Sequence, residues 1–185
     1  SHDSMQPKIL LAEDDMVSRL LMTRLLETKG LTCDIAHNGQ EAVRLCLSKN
    51  YDLVFMDCQM PLMDGYAATR RIRDAESGNK HTTIIAMTAH ALSGDQQKCL
   101  NAGMDDYLSK PVNQLNLMET IKRWLSVIQT APTLVQDLMQ ETGLNREAAQ
   151  ELILEYGKQS HQLLEQADKS VIQNDYKEVL HLLHK

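Results

Sequence analysis

The chain has 185 residues, 43% of them apolar, and a formal charge of −6. That is enough apolar material for one or two domains with packed cores. The acid excess argues against a nucleic-acid surface, which needs clustered Lys and Arg, and no apolar run approaches the roughly 20 residues that cross a bilayer. The four cysteines, Cys33, Cys46, Cys58 and Cys99, show no CxxC or zinc spacing. They read as small buried thiols in a reducing compartment. Residues 1–6 lack the basic-then-apolar pattern of a signal peptide, so a soluble, cytoplasmic fragment is expected.

Five short apolar runs read as buried strands of a parallel sheet. They are Lys8 to Ala12, Leu31 to Ala36, Asp52 to Met56, Thr83 to Met87, and Asp106 to Ser109. Helical patterns fall between them. Val17, Leu20, Leu21, Arg24, Leu25 and Thr28 predict one apolar stripe, and Ala42, Val43, Leu45, Cys46 and Leu47 a second. Ala67, Ala68, Ile72 and Ala75 follow Gly65, and Leu92 to Ala102 is closed by Gly103. The last runs from Leu115 to Ile128. Gly30 and Gly103 stand where helix C-caps belong. Arg70-Arg71-Ile72-Arg73 is the densest basic patch; with Asp64, Asp74 and Glu76 around it, it reads as a solvated helix face. The alternation predicts an α/β doubly wound sheet.

A break is expected at Gln129-Thr130-Ala131-Pro132-Thr133, with Thr133 and Gln136 as a capping box for an all-α tail. A long helix is expected from about Asn145, and a last one after Asn174-Asp175, with Tyr176, Val179, Leu180 and Leu183 facing inward.

Ligands of open α/β sheets sit outside the carboxyl ends of the strands. Those ends carry Glu13-Asp14-Asp15, Asp57, Thr88, and Lys110-Pro111. Such carboxylates repel one another unless a hard cation lies among them, and Mg²⁺ suits oxygen ligands. Lys110 adds a point charge for phosphate and Thr88 a hydroxyl. This set suits phosphoryl transfer to a carboxylate, with Asp57 as nucleophile and Mg²⁺ held by Asp14 and Asp57, Glu13 acting through water. Asp15 reads as a helix cap.

On the motifs Leu11-Ala12-Glu13-Asp14-Asp15, Phe55-Met56-Asp57-Cys58-Gln59-Met60-Pro61-Leu62-Met63-Asp64-Gly65, Met87-Thr88-Ala89 and Tyr107-Leu108-Ser109-Lys110-Pro111, residues 8–128 resemble a response-regulator receiver domain. The resemblance implies a flavodoxin-like sheet of order 2-1-3-4-5 and a receiver over 7–128. It implies Asp57 as phospho-acceptor, and Mg²⁺ on Glu13, Asp14, Asp57 and the backbone carbonyl of Gln59. Thr88 and Tyr107 would form the switch, and Ala89 would leave the site open. A cis peptide would precede Pro111, and Gln59 and His90 would sit where the family tunes the lifetime of the phosphoryl group.

After a linker at 129–133, residues 134–185 resemble the start of a histidine phosphotransfer domain, an incomplete four-helix bundle. The pattern lies in Leu144 to Tyr156 and Asn174 to Lys185. The spacing from Asp175 makes His184 the candidate phosphohistidine. His181 is the competitor, although His184 and Lys185 then fall where that family has Lys and Gly. An incomplete bundle is expected to pack on the receiver, self-associate or stay partly disordered.

Together these resemblances imply a fragment of a hybrid sensor histidine kinase, without the kinase core and with a parent anchored in the inner membrane. Its partners would be a phosphorylated histidine kinase or phosphotransfer domain and a downstream response regulator. Three alternatives are a stand-alone relay protein, a phosphorylation-independent pseudo-receiver, and a Mg²⁺-dependent phosphatase. Retention of the acids, Thr88 and Lys110 weighs against the second. Gln59 stands where the third would carry a second Asp. A DNA-binding output is disfavoured by the acidic tail.

Overall fold

Strand and helix alternate along the chain: β1 (Ile9–Ala12), α1 (Met16–Glu27), β2 (Cys33–Ala36), α2 (Gly39–Ser48), β3 (Leu53–Asp57), α3 (Gly65–Ala75), β4 (Thr83–Thr88), α4 (Ser93–Asn101), β5 (Asp106–Ser109), α5 (Gln114–Thr142) and α6 (Arg146–Leu164). The computed structural model describes residues 6–78, 80–89 and 93–164. The strands form one parallel sheet of order β2-β1-β3-β4-β5. Every residue of β1, β3 and β4 is buried, because parallel crossovers put helices on both faces.

Successive strand residues point to opposite faces, and this splits the core in two. Ile9, Leu11, Phe55, Ile85 and Met87 pack with Met22 and Leu26 of α1 and with Leu117, Ile121 and Trp124 of α5. Leu10, Val54, Met56, Ile84 and Ala86 pack with residues of α2, α3 and α4 on the other side. Helix starts are fixed by short polar caps. The side chains of Asp15, Asn38, Asp64, Asn113 and Asn145 accept from the backbone N–H of Ser18, Glu41, Ala67, Asn116 and Ala148. Each such cap contributes about 1 kcal/mol. Asp15 is thus the cap its position suggested.

Three expectations need correction. The first is the buried face of α1. Met22 and Leu26 face the sheet, while Val17, Leu20 and Leu21 are exposed. The helix carries apolar residues on more than one face, so periodicity alone does not select the inner one. The second is the linker at 129–133, because α5 runs through it to Gly143, which caps it at φ 71°. A proline inside a helix loses a backbone hydrogen bond and costs about 3 kcal/mol. Here Trp124, Leu125 and Ile128 before Pro132, and Val135, Leu138 and Met139 after it, all join one apolar cluster, and their burial outweighs that cost. Thr133 and Gln136 therefore lie within a helix and not at its start. Helix α6 begins after Asn145 as expected and packs on α5, with Ala149 and Ile153 in the same cluster as Val135 and Leu138. The last expected helix, with His181 and His184, lies outside the described residues.

The third correction concerns Arg73, which is not on a solvated face. Its guanidinium donates to the carbonyls of Gly103 (2.9 Å) and Thr82 (2.8 Å), and pairs with Glu76 and Asp105 at 2.9 Å each. Buried Asp105 also accepts from Ile84 N–H at 2.8 Å and contacts His81 Nε2 at 2.7 Å. This network fastens the end of α3 to the start of β4 and to the turn before β5. Truncation at Asp105 leaves a poorly hydrated guanidinium with one of its two carboxylates gone and the Ile84 N–H without its acceptor. Asp105→Ala is expected to cost about 3–5 kcal/mol in urea unfolding, and Arg70→Ala, on the exposed face, under about 0.5 kcal/mol. Equal effects would refute this account.

Candidate functional site

The sheet register brings the chemistry-bearing residues to one edge. Ala12 pairs with both Ala36 and Met56, Asp57 with Met87, and Thr88 with Ser109. Backbone bonds extend the ladder past each strand end, from Glu13 N to Ala36 O (3.0 Å), Cys58 N to Met87 O (3.0 Å) and Lys110 N to Thr88 O (2.7 Å). Glu13 and Asp57 therefore end level, with Thr88 one residue and Lys110 two residues further out on the same edge. The Lys110–Pro111 peptide is cis, as the resemblance implied.

A cleft of about 290 Å³ lies at this edge, and its walls include Glu13, Asp14, Asp57, Gln59, Thr88 and Lys110. Glu13 and Asp57 are buried, at 1% and 5% exposure, and Asp14 is exposed. Lys110 Nζ stands 2.7 Å from Glu13 Oε2 and 2.9 Å from Asp57 Oδ2. The approach to Glu13 is an ion pair off the hydrogen-bond axis, since Oε2 has no directed hydrogen-bond partner despite its burial. Glu13 Oε1 accepts from Asp15 N–H (3.0 Å), and Asp57 Oδ1 from Gln59 N–H (3.2 Å). Ala89 also lines the cleft. Tyr107 is absent from the cleft walls; it lies half-buried on β5, packed on the sheet face that carries Met56 and Ala86. His90 and His184 lie outside the described residues.

Local chain chemistry sets this geometry. Gly65 N–H donates to Cys58 O at 3.1 Å, and a Cβ on Gly65 would lie 2.1 Å from the backbone oxygen of Asp57. Only glycine allows α3 to start this close to the acidic strand end. A Cβ on Gly39 would meet the carbonyl oxygen of Met63 at 2.3 Å. Arg19, on the first turns of α1, donates to the backbone carbonyls of Glu13 (3.0 Å) and Asp14 (2.5 Å) and so holds the acidic loop. Sequence reasoning missed Arg19 and Gly39. The spacing of Arg19 from the acids was the available signal for the first; for the second there was none.

Charge in the cleft is unbalanced. Burial pushes the Asp57 carboxyl up to about 6, and nearby Glu13 adds to the rise, while the Lys110 and Gln59 contacts oppose it. Burial lowers the Lys110 pKa, but its two carboxylates outweigh that and raise it. One oxygen each from Glu13, Asp14 and Asp57 can gather within 4.8 Å of one another. Three hard carboxylate donors gathered at one point fit a divalent cation of the Mg²⁺ type. With a carboxylate, a hydroxyl and an ammonium converging, the arrangement suits transfer of an anionic group to a carboxylate oxygen.

A family model described as the response regulator receiver domain matches residues 9–122. Hybrid signal transduction histidine kinase B of Dictyostelium discoideum is 43% identical over 130 residues, covering 64% of this chain and 7% of that protein. The sensor protein GacS of Pseudomonas syringae is 37% identical over 131 residues, covering 70% and 14%. The chain thus spans only a small part of these relatives. Among solved structures, one similar chain is the receiver domain of a sensor histidine kinase from Pseudomonas aeruginosa, with a magnesium ion coordinated in its active site cleft. It is 41% identical with a TM-score of 0.60, covering 65% of this chain and 98% of that one. Another belongs to the co-crystal structure of a Saccharomyces cerevisiae histidine phosphotransfer signalling protein with the receiver domain of its downstream response regulator. It is 31% identical with a TM-score of 0.60, covering 64% and 88%.

The raised pKa of Asp57 has a stability consequence with a definite sign. Between about pH 4 and pH 6 the folded chain binds the Asp57 proton more tightly than the unfolded chain does. Stability contributed by this group therefore falls as pH rises through that window, and the loss persists at neutral pH. Asp57→Asn removes it. Without divalent ions the variant is expected to be more stable than the native chain by about 1–3 kcal/mol at pH 7.5, and the gain should fade towards pH 4. Urea unfolding at the two pH values checks this; a gain independent of pH would contradict it.

Proposed function

We propose a function from one premise: the chain belongs to the response regulator receiver domain family, and it carries the receiver of a two-component phosphorelay, homologous to the receivers of hybrid histidine kinases. In our reading Asp57 accepts a phosphoryl group from a phosphohistidine. The single observation that carries it is the meeting of Asp57, Glu13 and Lys110 at 2.7–2.9 Å in the cleft that Thr88 also lines.

Asp57 Oδ attacks phosphorus, and the bond from phosphorus to the imidazole nitrogen breaks in line with it. Lys110 holds Asp57 ionised and oriented beforehand, then turns its ammonium to the incoming phosphoryl oxygens. The Thr88 hydroxyl donates to another of those oxygens. Glu13, Asp14, Asp57 and the backbone carbonyl of Gln59 would hold Mg²⁺. When bound, the ion draws negative charge off the phosphoryl group. Thr88 and Tyr107 then act as the switch, since Thr88 belongs to the cleft and Tyr107 sits on the neighbouring strand (Ala86 pairs with Tyr107).

The partner surface we assign is the outer face of α1. Met16, Val17, Leu20 and Leu21 are 71, 69, 58 and 42% exposed, and the helix begins directly after the acidic loop. An apolar patch beside a polar cleft suits a helical partner that presents a histidine. That partner is a histidine kinase or a phosphotransfer domain, with a response regulator further downstream. The parent protein we infer is a hybrid histidine kinase. Its receiver ends near residue 128. Its tail, from residue 134, is the beginning of a phosphotransfer module joined through continuous α5, with His184 as candidate phosphohistidine.

Incubation with acetyl phosphate should label the native chain only with Mg²⁺ present. Asp57→Ala should take no label, and Lys110→Ala should lose about 10²-fold in rate. Labelling that survives Asp57→Ala would overturn the assignment. Leu20→Glu should slow transfer from a phosphohistidine protein by about tenfold or more and leave acetyl phosphate labelling unchanged. An equal effect on both donors would remove α1 as the docking face.

A further inference from the structure

Two thiols meet just behind the acceptor carboxylate. Cys58 follows Asp57 at the end of β3, and Cys99 lies on α4, 41 residues further on. Their Sγ atoms are 3.8 Å apart, and the residues are 3% and 0% exposed. Cys33, on β2, and Cys46, on α2, belong to other elements. Cys58 also forms part of the cleft wall, together with Asp95 and Lys98 of α4. Cys58 thus borders the cleft, and its sulfur touches that of Cys99. From 3.8 Å, a disulfide needs the sulfurs to close by about 1.8 Å.

We propose that Cys58 and Cys99 form a reversible disulfide site that responds to hydroperoxides and ties α4 to the acceptor strand. One sulfur of the pair, having released its proton, attacks the peroxide. The O–O bond breaks, that cysteine becomes a sulfenic acid, and the departing hydroxide or alkoxide takes up the proton as water or alcohol. The second sulfur then displaces the sulfenic oxygen, which leaves with the second thiol's proton as water, giving the S–S bond. Two electrons pass from the two sulfurs to the peroxide, and a thiol reductant reverses the change. The regulatory consequence rests on the phospho-acceptor reading. With α4 pinned to β3, the cleft wall carrying Asp95 and Lys98 no longer moves freely, and phosphoryl uptake at Asp57 slows.

The test uses the whole chain. It is treated with hydrogen peroxide, its free thiols are alkylated under denaturing conditions, and the products are mapped by mass spectrometry. The expected result is two fewer alkylated cysteines, a linked peptide pair containing Cys58 and Cys99, and recovery with dithiothreitol. Cys33→Ser and Cys46→Ser should still form the link; Cys58→Ser and Cys99→Ser should not. Four alkylated cysteines after peroxide, or irreversible oxidation of Cys58 without a link, would overturn the proposal. Because the mapping is read on the native chain, a misfolded variant does not decide it. Acetyl phosphate labelling should fall at least about fivefold in the oxidised chain and return with dithiothreitol; an unchanged rate would overturn the regulatory consequence. A chain that forms the link but never takes label refutes the acceptor reading and leaves the thiol site standing, whereas a labelled chain without the link does the reverse.

Discussion

Glu13 and Asp57 are buried side by side at the end of a parallel sheet, and the ammonium of Lys110 lies against both. Buried carboxylates are costly unless paired, and one lysine does not balance two of them plus Asp14. Burial raises the Asp57 carboxyl, and the neighbouring Glu13 charge adds to the rise against the pull of Lys110. Much of the surrounding chain keeps this unfavourable group in place. β1, β3 and β4 bury every residue up to it, Arg19 clamps the acidic loop, and Gly65 lets α3 start against Asp57. A site held against its own repulsion favours whatever brings positive charge, which is the physical reason a divalent cation suits it.

The site was largely legible in the sequence because its chemistry sits at strand ends. Once five apolar runs are recognised, the polar residues that close them are known: Glu13, Asp57, Thr88 and Lys110. The parallel register then places them on one edge without further information. Asp15 was legible as a cap for the same reason, since its role is settled within three residues. What escaped was settled by distant partners. Arg73 looks like a surface arginine until Asp105, Thr82 and Gly103 fold around it. Gly39 reveals its need for glycine only when Met63 arrives. The Cys58–Cys99 contact spans 41 residues and joins a strand end to a helix.

The errors at α1 and α5 have a common origin. A helix with apolar residues on one face declares its orientation; α1 has them on more than one, and the sheet accepts Met22 and Leu26. Pro132 argued for a helix end, and in isolation the argument is sound. It fails because the turns on either side contribute to a single cluster that also holds Ala149 and Ile153 of α6. Local propensity was overruled by packing that the local sequence does not contain.

That outcome changes the relation between the two parts of the chain. A flexible linker would leave the tail's orientation to diffusion, with an effective concentration set by linker length. Helix α5 instead begins on the sheet, where Leu117, Ile121 and Trp124 are buried and Trp124 Nε1 donates to Asp106 at 2.7 Å, and it continues unbroken to Thr142. Arg123 also pairs with Asp106, so two adjacent residues of α5 are held by the first residue of β5. Tyr107 is the next residue of that strand, and Lys110 follows directly after it. Any displacement of β5 linked to the state of Lys110 or Tyr107 would therefore act on the base of α5. The 29 residues of α5 join that contact to α6 through continuous helix and not through a flexible linker.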